Sequence, residues 1–199
     1  MAFVNLRGIH TLDMSKCNQA TITDAAFVNL RGINALDMSC SNQMTITDAA
    51  FVNLRGIHKL DMSCCRQITD AVFVHLRGIH TLYMCSCYQA ITDAAFAHLR
   101  GIYTLDMSGC DQATITDAAF VHLRGIHTLD MGGCNQATIT DAAFAHLRGI
   151  HTLDMSYCLR ITVAAFVHLR GLHTLKTLNC SSGIQAAAVA LLASPHALN

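Results

Sequence analysis

The chain has 199 residues, long enough for one sizeable domain or a short repeat array. Hydrophobic residues make up 52% and charged ones 13%, which excludes a disordered chain, since disorder needs low hydrophobicity and high net charge. Thirteen Lys and Arg balance 13 acids, so the net charge of +0 provides no global field to draw nucleic acid or an anionic membrane.

In chain order, Met1 to Gly8 reads as the tail of a helix whose strand and loop are missing, a truncated first half-repeat over residues 1–8. It lacks the basic n-region and long apolar core of a secretory leader. The longest apolar run, Ala186 to Ala193, is far short of the ~20 residues that span a bilayer. The expectation is a cytoplasmic or nuclear protein, not secreted and without membrane contact. From Ile9 onward the chain repeats itself. The Leu of a Leu-Arg-Gly phrase stands at Leu6, Leu30, Leu54, Leu76, Leu99, Leu123, Leu147 and Leu169, giving units of 22–24 residues. Length varies at one place, where NQATITD shortens to YQAITD ending at Asp93 and to RQITD ending at Asp70. Indels confined to one spot mark a loop. All 8 Phe fall in one column of this register.

One unit shows the elements. Leu129 and Met131 alternate with Thr128, Asp130 and Gly132, the period of a half-buried strand. A polar turn follows Cys134. Thr140 or Asp141 then suits a helix N-cap, and Ala143, Phe144 and Leu147 have helical spacing. Gly149 stands where a helix end favours a left-handed residue. No unit of strand, loop, short helix and turn buries its apolar face alone, so neighbours must stack. At the far end, Ile184 to Ala193 fits a ninth helix that Pro195 ends, and residues 181–199 read as a degenerate half-repeat, cap and tail.

The recurring phrase from Ile126 through Leu129 and Met131 to Cys134 resembles the leucine-rich-repeat segment LxxLxLxxN, with Cys in the Asn place. Followed by ITD and a helix, it is similar to the cysteine-containing subfamily typical of F-box leucine-rich-repeat proteins, though the chain has no F-box. The resemblance covers residues 2 to about 193. It implies an α/β fold, one domain over residues 1–199: a right-handed horseshoe solenoid of about eight strand-bearing units, with a parallel sheet on the concave face and helices on the convex face. It also implies a recognition surface, in that subfamily often the substrate receptor of a ubiquitin ligase.

Several columns carry polar chemistry. The main cysteine column is Cys17, Cys65, Cys87, Cys110, Cys134, Cys158 and Cys180, with Ser41 in the second unit's slot. Single Cys about 23 residues apart lack the paired spacings of a zinc site, so free buried thiols bonding loop backbone are expected, with no metal and no cofactor. Cys40 and Cys64 stand one place off the column in adjacent units, where the expectation is again free thiols and the alternative is a pair close enough to oxidise. The concave column after the inward Leu reads Asp13, Asp37, Asp61, Tyr83, Asp106, Asp130, Asp154 and Lys176, with Cys85 replacing Ser beside Tyr83. Carboxylates about 5 Å apart repel by roughly 1 kcal/mol per pair in high dielectric. They form either an acidic stripe awaiting a basic partner or acceptors for neighbouring hydroxyls. A uniform ladder lacks the unequal environments of an acid–base pair, so no catalytic residue is assigned.

His forms two columns. One precedes the strand (His10, His58, His80, His127, His151, His173) and one lies on the helices (His75, His98, His122, His146, His168), where Asn5, Asn29 and Asn53 stand in. Both read as solvated polar edges. An Arg before each Leu-Arg-Gly glycine reads as a cation at the helix end meeting orphan carbonyls. The expected function is non-enzymatic binding of a protein partner, a basic one on charge grounds, through the concave residues Asp13 to Lys176. Nucleic acid and membrane are not expected partners. The alternatives are the substrate-recognition part of a ubiquitin-ligase adaptor and a fragment or scaffold of a longer repeat protein. The uncapped amino end adds an expectation of a frayed first unit and self-association.

Overall fold

The computed structural model describes residues 2–87 and 90–193. Each unit contributes one three-residue strand: β1 (Thr11–Asp13), β2 (Ala35–Asp37), β3 (Lys59–Asp61), β4 (Thr81–Tyr83), β5 (Thr104–Asp106), β6 (Thr128–Asp130), β7 (Thr152–Asp154) and β8 (Thr174–Lys176). These pair in chain order into one parallel eight-stranded sheet. The register sets every central Leu beside the next, as Leu105 beside Leu129 beside Leu153. The central Leu faces inward and is buried in β2 to β7, while its two neighbours face out. That alternation is the physical content of the Thr-Leu-Asp phrase. Bonding continues past each strand: the Met107 amide donates to the Asp130 carbonyl at 2.8 Å and the Gly109 amide to that of Gly132 at 2.7 Å.

Opposite the sheet lie short helical segments. The sequence pattern predicts short helices, and most are 3-10 turns: Val4–Leu6, Asp24–Leu30, Asp48–Leu54, Asp70–His75, Val121–Leu123, Asp141–His146 and Val163–His168. Two single α-turns, α1 (Asp93–Phe96) and α2 (Asp117–Phe120), complete this side, and a longer helix α3 (Ser182–Ala193) follows the last strand. The preference has a geometric cause. A 3-10 turn rises about 2.0 Å per residue against about 1.5 Å in an α-helix, so it spans the unit with the few residues available. Segments this short also gain little from α-helical cooperativity. Thr caps them: Thr140 Oγ1 accepts the Ala142 amide at 3.2 Å, and Thr69, Thr92, Thr116 and Thr162 do the same in their units. Gly149 takes the left-handed φ of 80° expected after the helical turn.

The core runs between the two layers. Phe27, Phe51, Phe73, Phe96, Phe120 and Phe144 are 0% exposed, with Met, Leu and Ile columns stacked around them. Helix α3 covers the last full unit with Ile184 and Ala188, both buried. Pro195, expected to end that helix, lies outside the described residues. Among the described residues no helix is long and apolar enough to cross a membrane.

At the amino end Phe3 meets Phe27 edge-on, centroids 6.2 Å apart. Phe3, Leu6, Ile9 and Leu12 are only partly buried, whereas Leu129 and Met131 are 0% exposed. A unit with one stacked neighbour opens more easily than one with two. In hydrogen exchange, amides near Leu12 and Met14 are therefore expected to exchange well ahead of those near Leu129 and Met131. Equal protection in a monomeric sample would contradict this.

Candidate functional site

The outward face of the sheet holds the columns singled out above. Each carboxylate in them first serves its own turn. Asp13, Asp37, Asp61, Asp130 and Asp154 each accept, through Oδ1, the amide two residues on, all at 2.9 Å. Asp106 accepts both the amide and the hydroxyl of Ser108, at 2.9 and 2.7 Å. The Asp column thus closes the bend where the chain leaves the sheet, accepting backbone amides, and at Asp106 a hydroxyl as well. Its environments are nevertheless unequal, contrary to the uniform ladder expected. Ser15 holds the fully exposed Asp13 carboxyl below the usual carboxylate range. Burial pushes Asp130 up, and Asp106 and Asp154 add to this, against the Gly132 amide and Lys176. A carboxylate inside the ladder has charged neighbours on both sides, and one at its end has a single neighbour.

The departures from the column cluster. Asp13, Asp37, Asp61 and Tyr83 line one shallow depression of about 220 Å³, with Thr11, Ala35 and Lys59. Ala35 supplies only a methyl group where most other units carry Thr. The Lys59 ammonium lies over the Tyr83 ring at 5.4 Å from its centroid. Cys85 is half-buried with its Sγ 3.4 Å from Ser86 Oγ. At the other end Lys176 pairs with Asp154 at 3.3 Å. Asp106, Asp130 and Asp154 continue the face between these two ends in unbroken register.

Away from this face, polar columns stitch units together. From Cys65 onward each main-column thiol donates to the Met carbonyl one unit back, as Cys65 to Met38, Cys110 to Met84 and Cys158 to Met131, at 3.2, 3.2 and 3.1 Å. Ser41 makes the same bond to Met14 at 2.9 Å. Burial pushes the Cys65, Cys110 and Cys158 thiols up to about 12, so they stay protonated donors. Sequence reasoning missed another stitch. Asp117, in the first helical turn, accepts both the amide and the hydroxyl of Thr140 in the next unit at 2.7 Å. Asp24, Asp48, Asp70, Asp93 and Asp141 do likewise. The signal is the recurring Thr-Asp pair, which by sequence alone reads as a local cap.

The Arg and outer His columns also differ from expectation. Arg7 and Arg31 donate Nε to Asn29 and Asn53 Oδ1 of the following unit, both at 3.0 Å. Arg55, Arg77 and Arg100 donate to the Nδ1 of His75, His98 and His122 at 3.3, 3.2 and 3.3 Å. Asn and His interchange here because both offer an acceptor at the same reach. The inner column is not a loose polar edge either. His58, His80, Tyr103, His127, His151 and His173 stack face to face, centroids 4.0–4.7 Å apart. Among the described residues no group of three or more His, Cys, Asp or Glu could hold a metal ion.

Comparison with known proteins agrees with this geometry. The family described as BspA type leucine rich repeat region matches residues 1–126 and 68–189, in 6 copies. No curated protein sequence matches the chain. Among solved structures it is similar to TLR13 in a TLR13–ssRNA13 complex, with TM-score 0.63, 21% identity, 80% of this chain and 23% of that one. It is also similar to the Rad7 and Elc1 complex from yeast, with TM-score 0.57, 20% identity, 84% of this chain and 46% of that one. Human 5T4 follows, with TM-score 0.65, 16% identity, 86% of this chain and 71% of that one. The chain thus spans under half the length of the first two, and at these identities the likeness is one of fold.

Burial, and then the Arg55 and Arg100 charges, hold His75 and His122 below the ordinary imidazole range. A depressed His is neutral in the fold and takes up its proton more readily when unfolded. Its contribution is present above the unfolded value of about 6.5 and is lost as pH falls through the folded one. Denaturant midpoints are expected to drop between about pH 7.5 and 5, and less so in a His75→Asn, His122→Asn double variant. An unchanged slope in that variant would remove the Arg–His bonds as the cause.

Proposed function

We propose that this chain, which belongs to the BspA-type leucine-rich-repeat family, binds a basic segment of a protein partner on the outward face of its sheet. Repeats of this family build scaffolds suited to protein–protein interaction, and residues 1–199 are taken as one such domain. The observation that carries the reading is the depression where Tyr83 interrupts the Asp column. It sets a flat aromatic ring beside Asp13, Asp37 and Asp61, over a floor left open at Ala35. Tyr is favoured at the centre of interfaces because it is large, rigid and amphipathic. Lys59, already over the ring, shows that the site accommodates a cation there.

The remaining carboxylates extend the surface. Asp130 is raised by burial and by its Asp neighbours, so a cation laid along Asp106, Asp130 and Asp154 relieves repulsion that the free chain carries. No catalytic role is assigned to any of these groups. A second reading draws on the buried cysteine column and its resemblance to the F-box leucine-rich-repeat subfamily. It makes this surface the substrate-recognition part of a ubiquitin-ligase adaptor, and its test is whether an F-box is encoded ahead of Met1.

Affinity capture with the intact chain, read by mass spectrometry, tests the main proposal. Asp106→Asn, Asp130→Asn and Asp154→Asn together are expected to weaken capture and flatten its salt dependence while the melting curve is retained. Tyr83→Ala is expected to weaken binding by about 2 kcal/mol, the scale of an interface hot spot. Captured partners whose binding ignores both variants would place the interface elsewhere.

A further inference from the structure

We propose that Cys40 and Cys64 form a reversible disulfide between the second and third repeats, at a dithiol site that reacts with small disulfides such as oxidised glutathione. Both lie three residues beyond paired positions of β2 and β3, Asp37 opposite Asp61. The inter-unit bonding continues through them: the Cys40 amide donates to Ser63 and the Cys64 amide to Cys85, both at 2.8 Å. Both occupy the left-handed region, at φ 55° and 61°, so their side chains leave equivalent backbones in the same sense. Equivalent positions on neighbouring strands are about 4.8 Å apart, inside the Cα separation of about 4.4–6.8 Å that a disulfide spans. The Cys40 thiol lies near enough to help push the Cys64 thiol up.

No other adjacent pair in this column is Cys and Cys. The column runs Lys16, Cys40, Cys64, Ser86, Gly109, Gly133, Tyr157 and Asn179. The buried column nearby has the same pitch but different chemistry. Cys65, next in sequence, is buried and donates to the Met38 carbonyl at 3.2 Å, whereas Cys40 and Cys64 are half-buried and open to a small molecule. Burial first, and then the nearby Cys40 and Cys85, raise the Cys64 thiol, with Arg66 opposing, so the reaction accelerates as pH rises.

The exchange balances in two steps. One thiol loses its proton, and its sulfur attacks the small disulfide, forming a mixed disulfide and expelling one thiolate. The second thiol then loses its proton and attacks the mixed disulfide at the protein sulfur, expelling the other thiolate. Two protein thiols are oxidised, one small disulfide is reduced to two thiols, and the two protons pass to the departing thiolates. The product is a covalent rung between the turns that leave β2 and β3.

The test uses the native full chain, incubated without oxygen in oxidised glutathione, then denatured and alkylated. Free thiols are expected to fall from ten to eight, with the chain still monomeric and one peptide link joining Cys40 to Cys64. Reduction with dithiothreitol should restore all ten. Cys40→Ser and Cys64→Ser should each form no bridge and should stop at the mixed disulfide, the remaining cysteine of the pair holding glutathione. Ser86 holds the same place at φ 56°, so both variants keep a residue that this backbone accepts. Ten thiols surviving oxidation, a glutathione adduct that never closes, or a bridge to Cys85 or to another chain would each overturn the proposal.

Discussion

Each unit of this chain has half its bonding groups aimed at the next, and that dependence governs the rest of the structure. The Met107 amide needs the Asp130 carbonyl, the Cys134 thiol needs the Met107 carbonyl, and Thr140 needs Asp117. Gln136 reaches back to the Cys110 carbonyl, and Arg100 reaches forward to His122. A net hydrogen bond contributes about 1 kcal/mol, so several per interface, with the stacked Phe column, hold units that have no stability alone. The array is bound only through nearest neighbours. Its weakest places are where a unit has lost one, and Leu12, partly buried where Leu129 is fully so, marks such a place.

This division leaves a small part of each unit free to vary. Phe, Met, Cys and the helix-side Asp are held by the stacking. The two outward positions of each strand are not, and the departures collect there: Ala35, Lys59, Tyr83 and Lys176. The depression at Tyr83 follows from changes of single side chains on an unaltered backbone. Position along the ladder matters as well. Asp13 and Asp130 carry the same bond to the following amide, yet one is held low by Ser15 and the other is pushed high by burial, with Asp106 and Asp154 adding to it.

Residues that replace each other within a column prove to share a bond rather than a polarity. Ser41 and Cys65 both donate to a Met carbonyl, and Asn29 and His75 both accept from an Arg Nε. Val163 makes the complementary point. It stands where other units carry the Asp that grips the next unit's Thr, and the next helical element, after β8, is α3, which begins at Ser182. The Asp is missing where there is no Thr to hold.

Much of the fold was legible in the sequence because stacking imposes it on every unit. The recurrence of Leu-Arg-Gly, the single Phe column and the Thr-Leu-Asp alternation determined the unit length and the buried face, and the resemblance to leucine-rich repeats implied the parallel sheet. Indels at one loop marked where the unit tolerates length. What the sequence alone left open is which neighbour each polar column meets. Asp141 next to Thr140 reads as a local cap, Arg77 before Gly78 as a helix-end charge, and His80 as a loose polar edge. Only stacking brings Asp141 to Thr162, Arg77 to His98 and His80 between His58 and Tyr103. Those partners are 21 to 23 residues away along the chain and about one strand spacing away in space. Periodicity along a sequence records which residues are equivalent, and the tertiary structure alone decides which of them touch.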